Sequence, residues 1–517
     1  MATLPYFVFS PSTILSLGGL LRGPDTTKAT PVEDWRTATV DVVIPALNEA
    51  ENILLCIASV ARQTLPPRRI ILVDDGSHDG TIERAKGFCA LRQIELIAIQ
   101  RRAPIGKTPT IKRQAREFDS DVEFILDADT VLESDNYIER TVQELYQGVG
   151  IASAFGTILP QRTKDRRRVE SERSVRVFNE IHPPMKPARR SRLQDFRRGV
   201  TNMYREVLYL FLQRVVYRGQ MAYFGSTTNP VGCAVAYRRK YVSALFDYIG
   251  PILGDDLTNS EDIFIGFSML NEGYRNIQLN DVCARTVEPE IQKLPRQIYL
   301  WSSSFLQSCY YFDPLVRSPF RIIKRWAGRS GSDGHPPARE ANSASRRKYA
   351  PAQASAAGIG SLMGLTYGIG RQDLPAFVDT QLERQTVVAG AGGRSHGERR
   401  LVSEPYRQAF GREHTAAYGR PAGWILLTSA IEKVFFPTTL LIMIILRNWE
   451  ALAVTVVFET AICLLSLAIA MKGQRLEYVL KGLAVTPIRY ALLASELLTI
   501  GRFACDLWIT DNRKWRK

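Results

Sequence analysis

The chain contains no C-x-x-C pair, and its seven cysteines (Cys56, Cys89, Cys233, Cys283, Cys309, Cys463 and Cys505) are odd in number and scattered. This pattern argues against a structural zinc site and fits a reduced compartment. No G-x-G-x-x-G follows the first β-like run, so a dinucleotide cofactor is unsupported. Gly106-Lys107-Thr108 has the tail of a phosphate-binding P-loop, but the first glycine of that loop would fall at Arg101, and the P-loop reading fails. Zinc-finger spacing and aromatic RNA-binding motifs are also missing, so the net charge of +15 does not by itself make a nucleic-acid protein, and no nucleic-acid partner is expected. A cleaved leader is not expected either. Leu4 to Leu21 carry no charge, and the first basic residue, Arg22, follows the apolar stretch instead of preceding it.

A length of 517 residues predicts two or three units. The 45% hydrophobic content is unevenly spread and crowds the C-terminal end, so a soluble part and a membrane part are averaged together. Residues 1–38 hold the apolar segment Leu4 to Leu21, a transmembrane or docked helix interrupted by Pro5, Pro11 and Gly18. Residues 39–320 read as an α/β domain, because β-branched runs at Val40 to Ile44, Arg69 to Val73, Ile94 to Ala98 and Glu123 to Leu126 alternate with helical patterns. That rhythm predicts a mostly parallel sheet flanked by helices. The basic stretch from Gln161 to Arg218 reads as a solvated helical surface in preference to a lipid or polyphosphate site. Residues 321–423 are a low-complexity insertion or linker, with Gly, Ala, Ser, Arg and Pro dominating 327–420. Residues 424–517 predict two C-terminal transmembrane helices, Trp424 to Leu446 and Ala451 to Met471. Leu483 to Ile509, punctuated by Pro487, Arg489, Glu496, Arg502 and Asp506, reads as an interfacial helix. The positive-inside rule then places the basic domain and the basic tail Asn512 to Lys517 in the cytoplasm, with the protein multi-pass in a cell (inner) membrane.

Polar residues that end parallel strands are where such sheets bind ligands. Strand one runs into Pro45-Ala46-Leu47-Asn48-Glu49 and strand two into Asp74-Asp75-Gly76-Ser77, which together make an acidic nucleoside pocket. The alternative for Asp75 and Ser77 is helix N-capping. Strand four ends in Asp127-Ala128-Asp129, oxygen ligands suited to Mg2+ or Mn2+. Lys107 stands at a predicted helix N-terminus, where phosphate is favoured. Gly254 to Asp262 carries four carboxylates, Asp255, Asp256, Glu261 and Asp262, and reads either as a solvated acidic loop or as a functional cluster with Asp262 as general base.

In order, Pro45 to Glu49, Asp74 to Ser77, Gly106-Lys107, Asp127 to Asp129, Gly225 to Arg239, and Ser260 to Asp262 with Gly273-Tyr274-Arg275 resemble the successive motifs of family-2 glycosyltransferases of the inverting GT-A type. The likeness is to the membrane branch of hyaluronan, chitin and cellulose synthases. The resemblance covers about Val40 to Phe312 and the apolar tail. It implies a GT-A-like fold and donor contacts from Pro45, Glu49, Asp75, Lys107 and Asp127, with Asp75 at the uracil ring and Asp127 at the sugar or ribose. It further implies Asp129 on the metal, Asp262 as base with Glu261 beside it, and Asn229, Gly232, Gln297 and Trp301 towards the acceptor. The implied partners are a nucleotide sugar (a UDP-sugar), a glycan or lipid-linked acceptor, and the lipid bilayer. The implied product is a cell-surface polysaccharide, with transfer to a lipid-linked acceptor or an inactive basic scaffold as alternatives. One position departs from the pattern. Gln297-Ile298-Tyr299-Leu300-Trp301 has leucine where processive members carry an arginine able to bind the donor diphosphate, so another basic residue substitutes or processivity is weakened.

Overall fold

Short apolar β-branched runs form the parallel half of one sheet, as expected. A computed structural model describes residues 11–22, 34–147, 151–183, 191–243, 245–246, 260–272, 274–320 and 422–510. Leu4 to Ser10, Arg189-Arg190, Asp255-Asp256, Gly273, the 327–420 stretch and Asn512 to Lys517 lie outside the described residues. The elements begin with α1 (Pro11–Arg22), β1 (Val40–Ala46), α2 (Ile53–Ala61), β2 (Arg69–Asp74), α3 (Thr81–Arg92), β3 (Leu96–Gln100), α4 (Lys107–Glu117) and β4 (Val122–Leu126). Next come β5 (Thr130–Leu132), α5 (Tyr137–Leu145), β6 (Ile151–Pro160), α6 (Thr163–Glu170), α7 (Arg173–Ile181), α8 (Arg192–Phe211), α9 (Arg218–Phe224), β7 (Ala234–Arg238), α10 (Glu261–Glu272), β8 (Arg275–Thr286) and α11 (Leu294–Tyr311). The apolar end comprises α12 (Ala422–Ile445), α13 (Trp449–Ala470) and α14 (Arg475–Trp508).

The strand order is β3-β2-β1-β4-β7-β6-β8-β5. The first four strands are mutually parallel, whereas β7 runs antiparallel to both β4 and β6, and β8 is parallel to β6. The parallel half matches the sequence expectation, and the mixed half beyond β4 extends it. Both faces are covered, which explains why the strands are apolar throughout. Val42, Ile44, Ile70, Leu72, Phe124 and Leu126 pack towards α2 and α5, while Val43, Ile71, Val73 and Ile125 pack with Ile111 of α4 and with Phe264 and Phe267 of α10. The chain moves from β1 to β2 and β3 on one side and returns to β4 on the other. A crevice therefore opens beyond the carboxyl ends of β1 and β4, and the acidic strand ends meet there.

The described part of the N-terminal segment is a docked helix, with Gly19 of α1 set directly against the backbone of Gly219 in α9. Three C-terminal helices are long and apolar enough to cross a membrane, Gly423–Ile445, Trp449–Ala470 and Arg475–Trp508. The third differs from the expectation of an interfacial segment in forming one continuous 34-residue helix. Its contacts nonetheless run along α8 and α11: Tyr478 and Lys481 bond Glu206 of α8 at 2.8 and 3.1 Å, Glu496 accepts from Ser302 of α11 at 2.7 Å, and Arg502 lies over Tyr299. Its charges find partners on neighbouring helices, with Arg489 bonded to Glu459 and Glu496 held by Lys433 at 3.1 Å. In contrast, Ile445, Leu446, Val454 and Val457 at the α12–α13 hairpin are 61–71% exposed, an apolar surface that water disfavours.

Helix α10 is seated on the segment before β7 through Gly266. A Cβ at that position would lie 2.5 Å from the Asn229 Cα and 3.0 Å from the Pro230 Cδ. Gly266→Ala is therefore expected to destabilise by about 1–3 kcal/mol through overpacking, and to slow turnover by shifting the helix that carries Asp262. A melting temperature and rate both unchanged from the parent would contradict this close seat.

Candidate active site

The turns after β1 and β2 are locked together. Gly76 has φ +89°, a conformation that glycine adopts without strain, and Asn48 has φ +56°. The Asn48 N–H donates to Ser77 Oγ at 2.8 Å, and its Oδ1 accepts from the His78 N–H at 3.0 Å. Helix α3 starts later, at Thr81 after Gly80, so Asp75 and Ser77 do not cap it. The Asp75 carboxylate accepts from Arg101 Nη1 at 2.9 Å and from the backbone N–H groups of Ile105 and Gly106 at 3.0 and 2.8 Å. Burial raises its pKa, but these donors outweigh that and hold the carboxyl below its ordinary value. Asp75 thus anchors the loop leading into α4 and also lines the cavity.

Lys107, the first residue of α4, joins three segments. Its Nζ lies 2.7 Å from Asp127, 2.8 Å from Glu261 and 2.9 Å from the Gly232 carbonyl. Burial opposes its charge, yet Asp127 and Glu261 keep the ammonium protonated well above the usual lysine range. Asp129 has no such cation among its described partners. It accepts from the hydroxyls of Thr130 and Thr286 at 3.2 and 3.3 Å, and burial, followed by Asp127 and Glu49, pushes its carboxyl up to about 7.

Asp262 stands in the first turn of α10. Its Oδ2 accepts from the Gly232 N–H at 3.1 Å and its Oδ1 from the Ile263 N–H at 2.9 Å. Burial and then Glu261 raise its pKa to about 7 against the opposing pull of Lys107. Gly232 leaves no spare room here, since a Cβ would come within 3.0 Å of the Asp262 Cβ.

One cavity of about 1410 Å3 is lined by Asp75, Lys107, Asp127, Asp129, Asn229, Gly232, Glu261, Asp262, Gln297 and Trp301, so ten of the twelve anticipated residues meet around it. Pro45 and Glu49 stand back from its lining. Pro45 is paired with Val73 inside the sheet, and the Glu49 carboxylate accepts from Asn52 Nδ2 at 2.7 Å. Glu49 still acts through its charge on Asp129. Sequence reading missed Arg205 and Glu288, which also line the cavity. Arg205 sits in the basic stretch read as solvated, but it is 0% exposed, whereas Arg167 and Arg168 are exposed as that reading holds.

Residues 41–246 match the family model described as glycosyl transferase family 2. Over this region the chain is similar to family 2 glycosyl transferases. An N-acetylglucosaminyltransferase of Rhizobium meliloti is 25% identical over 301 residues, 56% of this chain and 62% of that protein. Glycosyltransferase AglE of Haloferax volcanii is 49% identical over 51 residues, 10% of this chain and 17% of that protein. The chain therefore spans less than two thirds of the length of these curated relatives. Among solved structures, a mannosyltransferase from Pyrobaculum calidifontis in complex with GDP-Man and Mn2+ aligns over 98% of this chain and 96% of its own, with 14% identity and a TM-score of 0.43. Glucosyl-3-phosphoglycerate synthase from Mycobacterium tuberculosis aligns over 55% of this chain and 86% of its own, with 17% identity and a TM-score of 0.32.

If Asp262 accepts a proton, it must be ionised to work. Activity is then low where its carboxyl is protonated, rises with pH, and levels off above about 7. Asp262→Asn is expected to lower transfer about a hundred- to ten-thousand-fold while leaving donor affinity near that of the parent. A flat pH profile, or equal loss of affinity and turnover, would contradict the role.

Proposed function

We propose that the protein is a membrane-bound, metal-dependent, inverting glycosyltransferase. On this reading it moves a sugar from a nucleoside diphosphate sugar to an acceptor presented from the membrane side. The observation that carries the reading is the continuity of one cavity. Its near wall holds Asp129, Lys107 and Asp262, and its far wall holds Phe436 and Pro437 of α12 with Leu492 and Leu493 of α14. The α12 and α14 side mixes these apolar side chains with Glu432, Lys433, Arg489 and Glu496, so the cavity offers both apolar and charged contacts to an amphiphilic acceptor. The polysaccharide expectation gains less support, because Arg205 lies 4.5 Å over the face of Trp301, the ring expected to stack on an acceptor sugar.

In this reading Asp262 takes the proton of the acceptor hydroxyl as that oxygen bonds to the anomeric carbon. The sugar–phosphate bond breaks in line, and the nucleoside diphosphate departs with inversion. Lys107 and the α4 N-terminus face the diphosphate, and Asp75 holds the loop that shapes its pocket. Asp129 and Asp127 would hold a divalent cation, which supplies charge neutralisation of the leaving diphosphate when bound. The fit rests on Asp129 itself, a buried carboxylate whose charge is disfavoured by burial and by neighbouring acids. Among the described residues no three His, Cys, Asp or Glu side chains form a ready-made cation cage, so donor oxygens would complete the coordination. The basic charge favours a cytoplasmic catalytic domain, with α12 and α13 entering the bilayer and α14 packed along α13 through Gly482, Arg489 and Tyr490.

The test is incubation of the full protein in native membranes with labelled UDP-, GDP- and dTDP-sugars and Mn2+. One donor should release nucleoside diphosphate and label an organic-extractable product, and Asp129→Asn should lose the metal-dependent part of that turnover. Label in a high-molecular-weight polymer would favour the polysaccharide alternative. Release from no donor would contradict the enzyme reading.

A further inference from the structure

Helix α8 carries one apolar stripe that is covered along only part of its length. Leu193, Phe196, Val200, Met203 and Val207 recur at the alternating three- and four-residue spacing that places side chains on one helix face. At the C-terminal end of the stripe, Met203 and Val207 pack with Leu467 of α13 and Val485 of α14. At its N-terminal end, Leu193 is 55% exposed and Phe196 is 69% exposed. Helical spacing sets Arg192 and Arg197 on either side of this uncovered pair, the first exposed and the second half-buried. Leu467 belongs to the last turn of α13, the end at which the α12–α13 hairpin returns to the catalytic domain. The face of α8 that rests on the α13–α14 pair therefore runs on uncovered from that end of the hairpin. Adjacent large apolar side chains left in water are disfavoured, and basic residues at their edge suit an anionic surface.

We propose that the first turns of α8 lie on the bilayer leaflet facing the catalytic domain, with Leu193 and Phe196 among the acyl chains and Arg192 and Arg197 on anionic headgroups. A helix with such an apolar face and basic flanks partitions into the interface, and each arginine there gains an attraction that a neutral surface does not offer. The long arginine side chains cover apolar surface with their stems while their guanidinium groups reach the headgroups. The solvated reading of the basic stretch thus does not extend to the start of α8. Because Tyr204, Leu208 and Tyr209 of the same helix line the cavity, this contact sets the height of the cavity above the membrane. This inference rests on the reading above that α12 and α13 enter the bilayer.

The test puts the photoreactive residue p-benzoylphenylalanine in place of Phe196, of Val457 in α13, or of Leu91 in α3, all exposed positions of the full chain. Each protein is reconstituted in nanodiscs of phosphatidylcholine alone or of an equal mixture with phosphatidylglycerol, irradiated, and analysed for lipid adducts by mass spectrometry. Phe196 should give lipid adducts as Val457 does, and Leu91 should give almost none. Arg192→Gln with Arg197→Gln should lower the Phe196 yield about threefold or more in the anionic discs and change it little in the neutral ones. A second probe at Leu193 should repeat the Phe196 result, which guards against a local fault at one site. Phe196 adducts no more frequent than those at Leu91, with Val457 labelled, would overturn the proposal. So would crosslinks from Phe196 to another protein chain in place of lipid, and a yield unchanged by the arginine substitutions in anionic discs would overturn the headgroup assignment. Loss of lipid adducts at Val457 as well would overturn the membrane reading itself, and this inference with it.

Discussion

The Lys107 ammonium is the contact on which the site depends. Asp127 ends β4, Glu261 opens α10 and Gly232 leads into β7, and one Nζ bonds all three. These segments are far apart in the chain, and the sheet alone would not fix their spacing at the crevice. The ion pairs also set the local electrostatics. With Asp127 and Glu261 drawn to Lys107, the two other acids of the cluster, Asp129 and Asp262, have burial and a neighbouring carboxylate working against their charge. Like-charged carboxylates confined in one cavity favour either protonation or a cation. On the proposed function the arrangement would gain a metal and a diphosphate together, and Lys107 would exchange a carboxylate for a phosphate without losing its charge partner.

The three apolar C-terminal helices are joined to this centre through both apolar and polar contacts. Ile425 and Leu426 of α12 belong to the same core as Phe264 and Phe267 of α10. Lys433 and Glu496 connect α12 and α14 at the cavity wall, and Ser302 ties that pair to α11. Movement of the apolar helices would therefore be felt at Gln297 and Trp301, which α11 carries.

Much of this was legible in the sequence because it depends on local chemistry. Runs such as Arg69 to Val73 form strands since both faces are buried, and Asp127, Asp129, Asp262 and Lys107 sit at element ends that any α/β sheet directs to one crevice. Contacts formed by packing were not legible. Arg205 reads in the sequence as one more arginine on a basic helix, and the approach of Gln297 and Trp301 of α11, with Glu288, helps to bury it. The anchoring of the loop before α4 by Asp75 was likewise not legible, because its donors come from a loop some thirty residues later. The charges of α14 suggested a helix facing water on one side, yet Arg489 and Glu496 are matched by acids and bases on α13 and α12 that no spacing rule within one helix would reveal.

The central claim is that the carboxylate cluster is completed only when cation and diphosphate arrive together. Calorimetric titration of Mn2+ into the full protein, with and without saturating UDP, measures this directly. The account predicts weak Mn2+ binding alone and much tighter binding with UDP, matched by an equal gain in UDP affinity when Mn2+ is present. Mn2+ affinity that is the same with and without the nucleotide would contradict it.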